Sequence, residues 1–215
     1  STPICTDRIS NNAGGMAAFS SRGPTADGRY KPDIVAPGTN ILSTRSSVAT
    51  EDAWGNYNTY YWYMGGTSMA TPLTAGASAL VREFYTDQGV TPSSALIKAT
   101  LVNGATDLYP GQYASPYYEQ PTVRPNNVQG WGRVDIEDSL FPASPSQLDY
   151  LDFTQGLITN EYDAFTFNLS NTTVPFKTTL AWTDYPGTMA AGGGLVNDLD
   201  LHVVDPAATI HYPTN

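Results

Sequence analysis

The stretch GGTSMATPLTAGASALVREF, residues 65 to 84, constrains the fold of this chain more than any other segment. Its two glycines permit a sharp turn and a close backbone approach, and the residues after them are small or apolar. The pattern predicts a helix over residues 70 to 86, with Pro72 in its first turn, where a missing N–H is tolerated. Because almost no polar residue precedes Arg82 and Glu83, this helix is expected to be buried and held rigidly.

Ser68 lies where this helix is expected to begin. The free N–H groups and the positive end of the helix dipole at that position favour a negative charge. A serine that attacks a carbonyl needs such an environment, because the oxyanion that forms must be stabilised. The alternative is an N-cap without catalysis, since serine is favoured at helix starts. On spacing alone, the N-cap interpretation is favoured.

The composition limits the classes of partner. The 215 residues include 20 acidic and 10 basic side chains, for a net charge of −10. That balance argues against a nucleic-acid partner, because no basic patch is available to neutralise phosphates. No apolar run reaches the ~18 residues of a membrane span, and the single Cys5 rules out an internal disulfide framework. The low charged fraction of 14% favours an extracellular protein, and a first residue other than Met suggests a fragment.

The chain divides into two expected domains, residues 1–144 and 145–215. The first domain combines short strand-like runs with helices, a pattern typical of the α/β class. Besides the helix that follows Ser68, a further helix is predicted over residues 92 to 103. The segment FPASPSQ has the composition of a linker. Beyond it, YDAFTFNL, PFKTTLAW and DLDLHVV alternate with period two, which predicts the strands of a partial all-β sandwich or jelly roll.

Five ordered segments carry a family resemblance: FSSRGP, KPDIVAPG, GGTSMATPLTAG, NGATDL and QGWGRVD. Together they resemble the subtilisin-like serine proteases, and LVNDLDL is similar to the β-domain of the KP-43-type alkaline members. The resemblance implies an incomplete subtilisin-like parallel sheet with helices, and polypeptide as the substrate. It implies that Ser68 is the acylated nucleophile and that its own N–H is an oxyanion donor. Met69 would line the site, and Gly65, Gly66 and Thr67 would lie at the oxyanion site and primary specificity pocket.

The family places an aspartate and a histidine before the serine, each in its own motif, and neither motif occurs upstream of Ser68. The only histidines, His202 and His211, fall in the expected β-domain and are interpreted as surface or edge-strand residues. The isolated chain is therefore predicted to be inactive, with the missing N-terminal half of the catalytic domain as its partner and an exposed sheet edge that invites self-association. One alternative is a non-catalytic binding module that acts through the β-domain; a more distant one is a hydrolase that pairs Ser68 with His202.

Four aspartates form a candidate calcium site. Asp198 and Asp200 share one face of a predicted strand, and Asp184 and Asp205 are further candidates. Carboxylate oxygens at such spacing are suitable Ca²⁺ ligands. The alternative is an outward polar face, which the same alternation produces without a metal.

Overall fold

The computed structural model describes residues 12–51, 53–112, 121–187 and 195–213. Its elements in chain order are β1 (Ile41–Thr44), β2 (Gly55–Asn56), β3 (Tyr61–Met64), α1 (Thr67–Asp87), α2 (Ser94–Asn103), α3 (Ile136–Leu140), β4 (Val203–Val204) and β5 (Ile210–His211). None of the helices in these ranges has both the length and the apolar character needed to cross a bilayer.

The long helix α1 begins at Thr67, three residues earlier than the sequence predicts. Pro72 consequently lies in the second turn and not in the first, so the prediction for this proline is wrong. The earlier start follows from Gly66, whose φ of 143° turns the chain directly into the helix. Because proline has no N–H, the Ser68 carbonyl receives no helical hydrogen bond from position 72.

Helix α1 is buried along one face only. Ala77, Val81 and Tyr85, spaced four residues apart, are its buried positions, while Leu73 and Leu80 are 42% and 52% exposed. The prediction of a helix buried all round is therefore wrong for this chain. The physical reason is that its element contacts, within the described residues, are with α2 and α3, which cover a single side.

The core forms where α1 meets α2 and α3. Its buried members are Ala77, Val81, Tyr85, Leu96, Leu101 and Leu140. The Tyr85 hydroxyl reaches Thr100 Oγ1 at 2.8 Å, so the one polar group on this buried ring is satisfied. Helix α2 begins two residues later than predicted, because Ser93, not Pro92, is the N-cap: its hydroxyl accepts from the Leu96 N–H. Gly104 ends the helix, as the sequence predicts.

The sheet before α1 is antiparallel, with strand order β1-β3-β2. Within the described residues, parallel pairing is limited to one bridge between Val35 and Arg133, so an extended parallel sheet is not present here. Two hydrogen bonds make that bridge, Val35 N–H to Gly132 O and Val134 N–H to Val35 O. Pro37, two residues after Val35, has no N–H, so the ladder cannot continue beyond the bridge on a donor from that position.

The segment after residue 144 contains one described strand pair, antiparallel β4 and β5. Phe165 and Phe167, on one face of the alternating run, pack against Phe153 and Phe176 with ring centroids 5.5 and 5.7 Å apart. Leu148 and Tyr150 pack against the helical core. The complete sandwich and the boundary at residues 144 and 145 stay predictions.

Candidate active site

Ser68 is the second residue of α1, and its side chain is exposed. The first-turn N–H groups of a helix have no carbonyl partner within the helix, and no side chain caps this end. Behind the serine, the other end of α1 is anchored in the core by Val81 and Tyr85, both fully buried. A hydroxyl open to solvent therefore lies beside the first-turn N–H groups of an anchored helix, an arrangement suited to an acyl-transfer nucleophile.

A close backbone approach supports the turn before Ser68. The Gly66 N–H donates to Gly38 O at 2.7 Å. A Cβ on Gly38 would lie 2.9 Å from Gly66 O and 3.5 Å from the Ala70 Cβ. Gly38 thus lets the loop after Pro37 lie against the first turn of α1. The motif KPDIVAPG carries part of the family resemblance, but the sequence alone assigns no role to its last glycine, Gly38. The available signal was the position of this motif before the serine motif.

Gly65 lies against the indole of Trp54. A Cβ at this position would be 2.0 Å from Cη2 and 2.2 Å from both Cζ2 and Cζ3 of that ring. Trp54 is held by its backbone N–H, which donates to Tyr63 O at 3.1 Å. Sequence reasoning missed Trp54, because it lies outside the family motifs and eleven residues before the double glycine.

Thr67 and Met69 flank the serine, as the sequence places them. The Thr67 carbonyl accepts from the Thr71 hydroxyl at 3.0 Å, and the Met69 N–H donates to Gly66 O at 3.0 Å. A Cβ on Gly66 would lie 3.9 Å from the Met69 sulfur. Gly65, Gly66, Thr67 and Met69 are thus the chain neighbours of Ser68 at the start of α1, while their roles in catalysis stay predictions.

Neither histidine serves Ser68. Within the part of the chain that the structure describes, the Ser68 hydroxyl makes no hydrogen bond to another side chain. His202 packs edge-on against Tyr212 with ring centroids 4.8 Å apart, and His211 Nε2 lies 3.1 Å from Asp205 Oδ2. Both histidines are exposed, and His211 lies in β5, in agreement with the interpretation of the pair as surface or edge-strand residues. The arrangement gives no support to a pairing of Ser68 with His202.

The Asp184 carboxylate is occupied by protein donors. Its two oxygens accept from the N–H groups of Tyr185, Val196 and Asn197 and from the Asn197 side-chain amide, at 2.7 to 3.0 Å. Desolvation raises the pKa of Asp184, but these hydrogen bonds outweigh it and hold the pKa below its usual 3.8. Three of these hydrogen bonds fall on Oδ1 and one on Oδ2, so protein donors occupy most of the acceptor sites of this carboxylate, and its role as a calcium ligand stays a prediction.

Asp205 is likewise engaged, by the N–H groups of Ala207 and Thr209 at 2.9 Å each and by His211. These hydrogen bonds lower the pKa of Asp205. Among the described residues, which include Asp198 and Asp200, no three His, Cys, Asp or Glu side chains come together as a metal-binding group. Calcium binding by this chain stays a prediction without a formed ligand set.

The comparison with known families decides the class of protein. A family model described as "Subtilase family" matches residues 5–132. The chain belongs to the subtilase family. The matched range contains the exposed Ser68, the Gly38–Gly66 contact and the double glycine. The resemblance inferred from the ordered motifs is thereby confirmed, while kinship to the KP-43 type stays a prediction.

Individual relatives of this subtilase chain are proteases by name. It is 30% identical to the serine protease/ABC transporter B family protein tagB of Dictyostelium discoideum, in an alignment that covers 88% of this chain and 13% of that protein. It is 41% identical to the serine protease AprX of Bacillus subtilis, covering 58% of the chain and 25% of that protein. A solved structure of the Clostridium perfringens CspB protease aligns with 58% of this chain over 22% of the protease chain, at 29% identity and a TM-score of 0.42. The chain thus spans a quarter or less of each relative.

Proposed function

We propose that this chain carries the nucleophile of a subtilisin-like serine endopeptidase. The observation that carries the proposal is the exposed Ser68 hydroxyl at the uncapped start of α1, in a chain that belongs to the subtilase family. Ser68 Oγ attacks the scissile peptide carbonyl, and its own backbone N–H helps to stabilise the oxyanion. The leaving amine departs with a proton, and water then releases the acyl group from Ser68.

The general base comes, in this proposal, from the half of the catalytic domain that bears the family's aspartate and histidine. Two observations support the need for it: neither imidazole of this chain reaches Ser68, and α1 presents Leu73 and Leu80 to solvent. An apolar helix face of this kind is covered in a complete globular domain. The chain alone is therefore expected to have negligible peptidase activity, because a serine without its base retains little catalysis.

The other finer features of the proposal are secretion and a β-sandwich after residue 144. The low charged fraction of 14% and the net charge of −10 support an extracellular location. The antiparallel pair β4–β5 and the alternating phenylalanines support a β-rich segment. The alternative, a module without catalysis, is favoured only by the lack of a base beside Ser68.

Active-site labelling tests the proposal. The full-length parent protein and this chain are each incubated with a fluorophosphonate, and the modified residue is mapped by mass spectrometry. The parent is expected to react at Ser68, and Ser68→Ala is expected to abolish both labelling and peptide hydrolysis. A parent that hydrolyses peptides equally well after Ser68→Ala, or that never reacts at this serine, overturns the assignment.

A further inference from the structure

Two adjoining sequence motifs in the C-terminal segment have no part in the chemistry at Ser68. NLS, residues 168 to 170, and NTT, residues 171 to 173, both fit the pattern Asn-X-Ser/Thr. In chains that enter a secretory lumen, this pattern is the acceptor for N-linked glycans, and it is used where it lies on the surface. All six residues are exposed, so exposure alone does not distinguish the two motifs.

The two motifs lie in a loop that an aromatic contact closes. The rings of Phe167 and Phe176 have their centroids 5.7 Å apart, so residues 168 to 175 connect two packed side chains. Asn168 directly follows the first ring, at the base of the loop, whereas Asn171 lies near its middle. A bulky glycan is accommodated more easily in the middle of an exposed loop than beside a packed ring.

The side chain of Asn171 is bonded to the third residue of its own motif. Its Oδ1 accepts from the Thr173 N–H at 2.7 Å and from the Thr173 hydroxyl at 2.6 Å. Because both bonds span only two residues, they are able to form in a short segment without the rest of the fold. Among the described residues, no hydrogen bond engages Asn171 Nδ2, and none joins Asn168 to Ser170.

This arrangement suits the transfer of a glycan to Asn171. Nδ2 attacks C1 of the first sugar of a lipid-linked oligosaccharide pyrophosphate. The bond from C1 to the pyrophosphate oxygen breaks, its electron pair leaves with the pyrophosphate, and the amide passes one proton to a base of the transferase. Negative charge then collects on Oδ1, where the two donors of Thr173 stabilise it. Threonine holds its hydroxyl well, because its β-branched side chain has a restricted χ1.

We propose that Asn171 is the N-glycan acceptor of this chain and that Asn168 is not. The proposal goes beyond the proposed function, because no step at Ser68 requires a glycan. It requires the chain to pass through a lumen that contains an oligosaccharyltransferase, a condition consistent with the proposed extracellular location. The experiment supplies that lumen, so its result does not depend on where the chain resides naturally.

Site mapping in a eukaryotic secretory host tests the proposal. The full-length parent protein, carrying Ser68→Ala to prevent self-digestion, is expressed behind a leader peptide in insect cells. Total protein, secreted and retained, is treated with the amidase that releases N-glycans and leaves aspartate at each occupied asparagine. Peptide mass spectrometry, with an untreated sample as reference, is expected to find aspartate at position 171 and asparagine at position 168.

Matched variants separate the acceptor nitrogen from the hydroxyl. Asn171→Gln and Thr173→Val are each expected to abolish the glycan, the second because a methyl group of similar size replaces the hydroxyl while Asn171 stays in place. Thr173→Ser, which keeps the hydroxyl, and Asn168→Gln are the controls and are expected to retain it. Because occupancy is read from total protein, a variant that folds poorly still gives a result.

The outcomes divide clearly. A glycan at Asn168 instead of Asn171, equal occupancy of both, or no glycan at either overturns the proposal. Retention of the glycan in Thr173→Val overturns the role of the hydroxyl. A parent protein that never reacts with fluorophosphonate at Ser68 refutes the proposed protease and leaves the assignment of Asn171 unaffected.

Discussion

Close packing around Ser68 makes individual glycines necessary for steric reasons. A Cβ on Gly38 would lie 2.9 Å from the Gly66 carbonyl oxygen, which belongs to backbone and cannot rotate away. Gly38→Ala is therefore expected to destabilise the chain by about 1–3 kcal/mol, as overpacking does. The loss is measured as the change in the free energy of unfolding in urea.

Gly76 is the matched control for that substitution. It lies within α1, and a Cβ there would meet nothing within 4 Å. Gly76→Ala is expected to stabilise the chain by roughly 0.5–1 kcal/mol, because alanine loses less conformational entropy in a helix. Equal effects of the two substitutions would show that the Gly38 contact is not tight.

Asp33 provides a prediction about pH. Burial raises its pKa, but the hydrogen bonds and charges of Lys31 and Lys98 outweigh burial and hold the pKa below the usual 3.8. A carboxylate whose pKa is depressed by folding stabilises the folded state above its unfolded pKa and loses that contribution as the pH falls through the folded pKa.

Asp33→Asn is accordingly expected to lower the urea midpoint at pH 7, with the difference from the unsubstituted chain shrinking as the pH falls below about 4. Asp149→Asn is the control, because among the described residues its carboxylate accepts only from the adjacent Tyr150 N–H. A difference that stays constant from pH 7 to pH 3 contradicts the ion-pair explanation.

Among the elements, α2 is held at both ends by the C-terminal segment. At its start, Asp152 accepts from the Ser93 N–H and hydroxyl, each at 2.7 Å. At its end, Lys177 donates to the Asn103 carbonyl at 2.9 Å. An anion at the N-terminus and a cation at the C-terminus both complement the helix dipole. The segment after residue 144 therefore contributes to the stability of the helical core.

Asp152→Ala is expected to cost about 1–3 kcal/mol, because the Ser93 donors lose their partner. The cost is read from urea unfolding, with Asp149→Ala as the control three residues away. A change below about 0.5 kcal/mol, the usual range for a neutral surface substitution, would mean that water replaces the carboxylate.

Element type was predictable from sequence where local chemistry determines it. Pro92 and Gly104 bracket α2 in the sequence and predict that helix without any tertiary information, although its N-cap is Ser93. Strand pairing was not predictable in the same way: the resemblance implies a parallel sheet, whereas the described strands before α1 pair antiparallel, because pairing depends on which strands are available as neighbours. The β1-β3-β2 unit joins residues that read individually as a strand and as an aromatic run. Trp54 shows the same limit at the site, since only the fold brings it to Gly65.

At the scale of the whole molecule, the exposed apolar face of α1 is the surface that the proposed missing half of the catalytic domain is expected to cover. Leu80 is 52% exposed, so Leu80→Glu is expected to leave the unfolding of this chain unchanged within about 0.5 kcal/mol. When the chain is mixed with the segment bearing the aspartate and histidine, the same substitution is expected to prevent association, since it places a charge in an apolar contact.

Val48→Glu is the control for the mixing experiment, because Val48 is 84% exposed in the loop between β1 and β2, outside α1. Association is followed by size-exclusion chromatography with light scattering. If Leu80→Glu associates as well as Val48→Glu does, the face of α1 is not the contact surface.

The nucleophile assignment is tested most directly by the rate of fluorophosphonate reaction at Ser68 in two forms, the full-length parent protein and this chain. The account predicts rapid modification of Ser68 in the parent, loss of it in Ser68→Ala, and a rate in the isolated chain at least about a thousandfold lower. Modification of this chain at Ser68 at a rate near that of the parent would contradict the account, because the hydroxyl would then be activated without a histidine from outside these 215 residues.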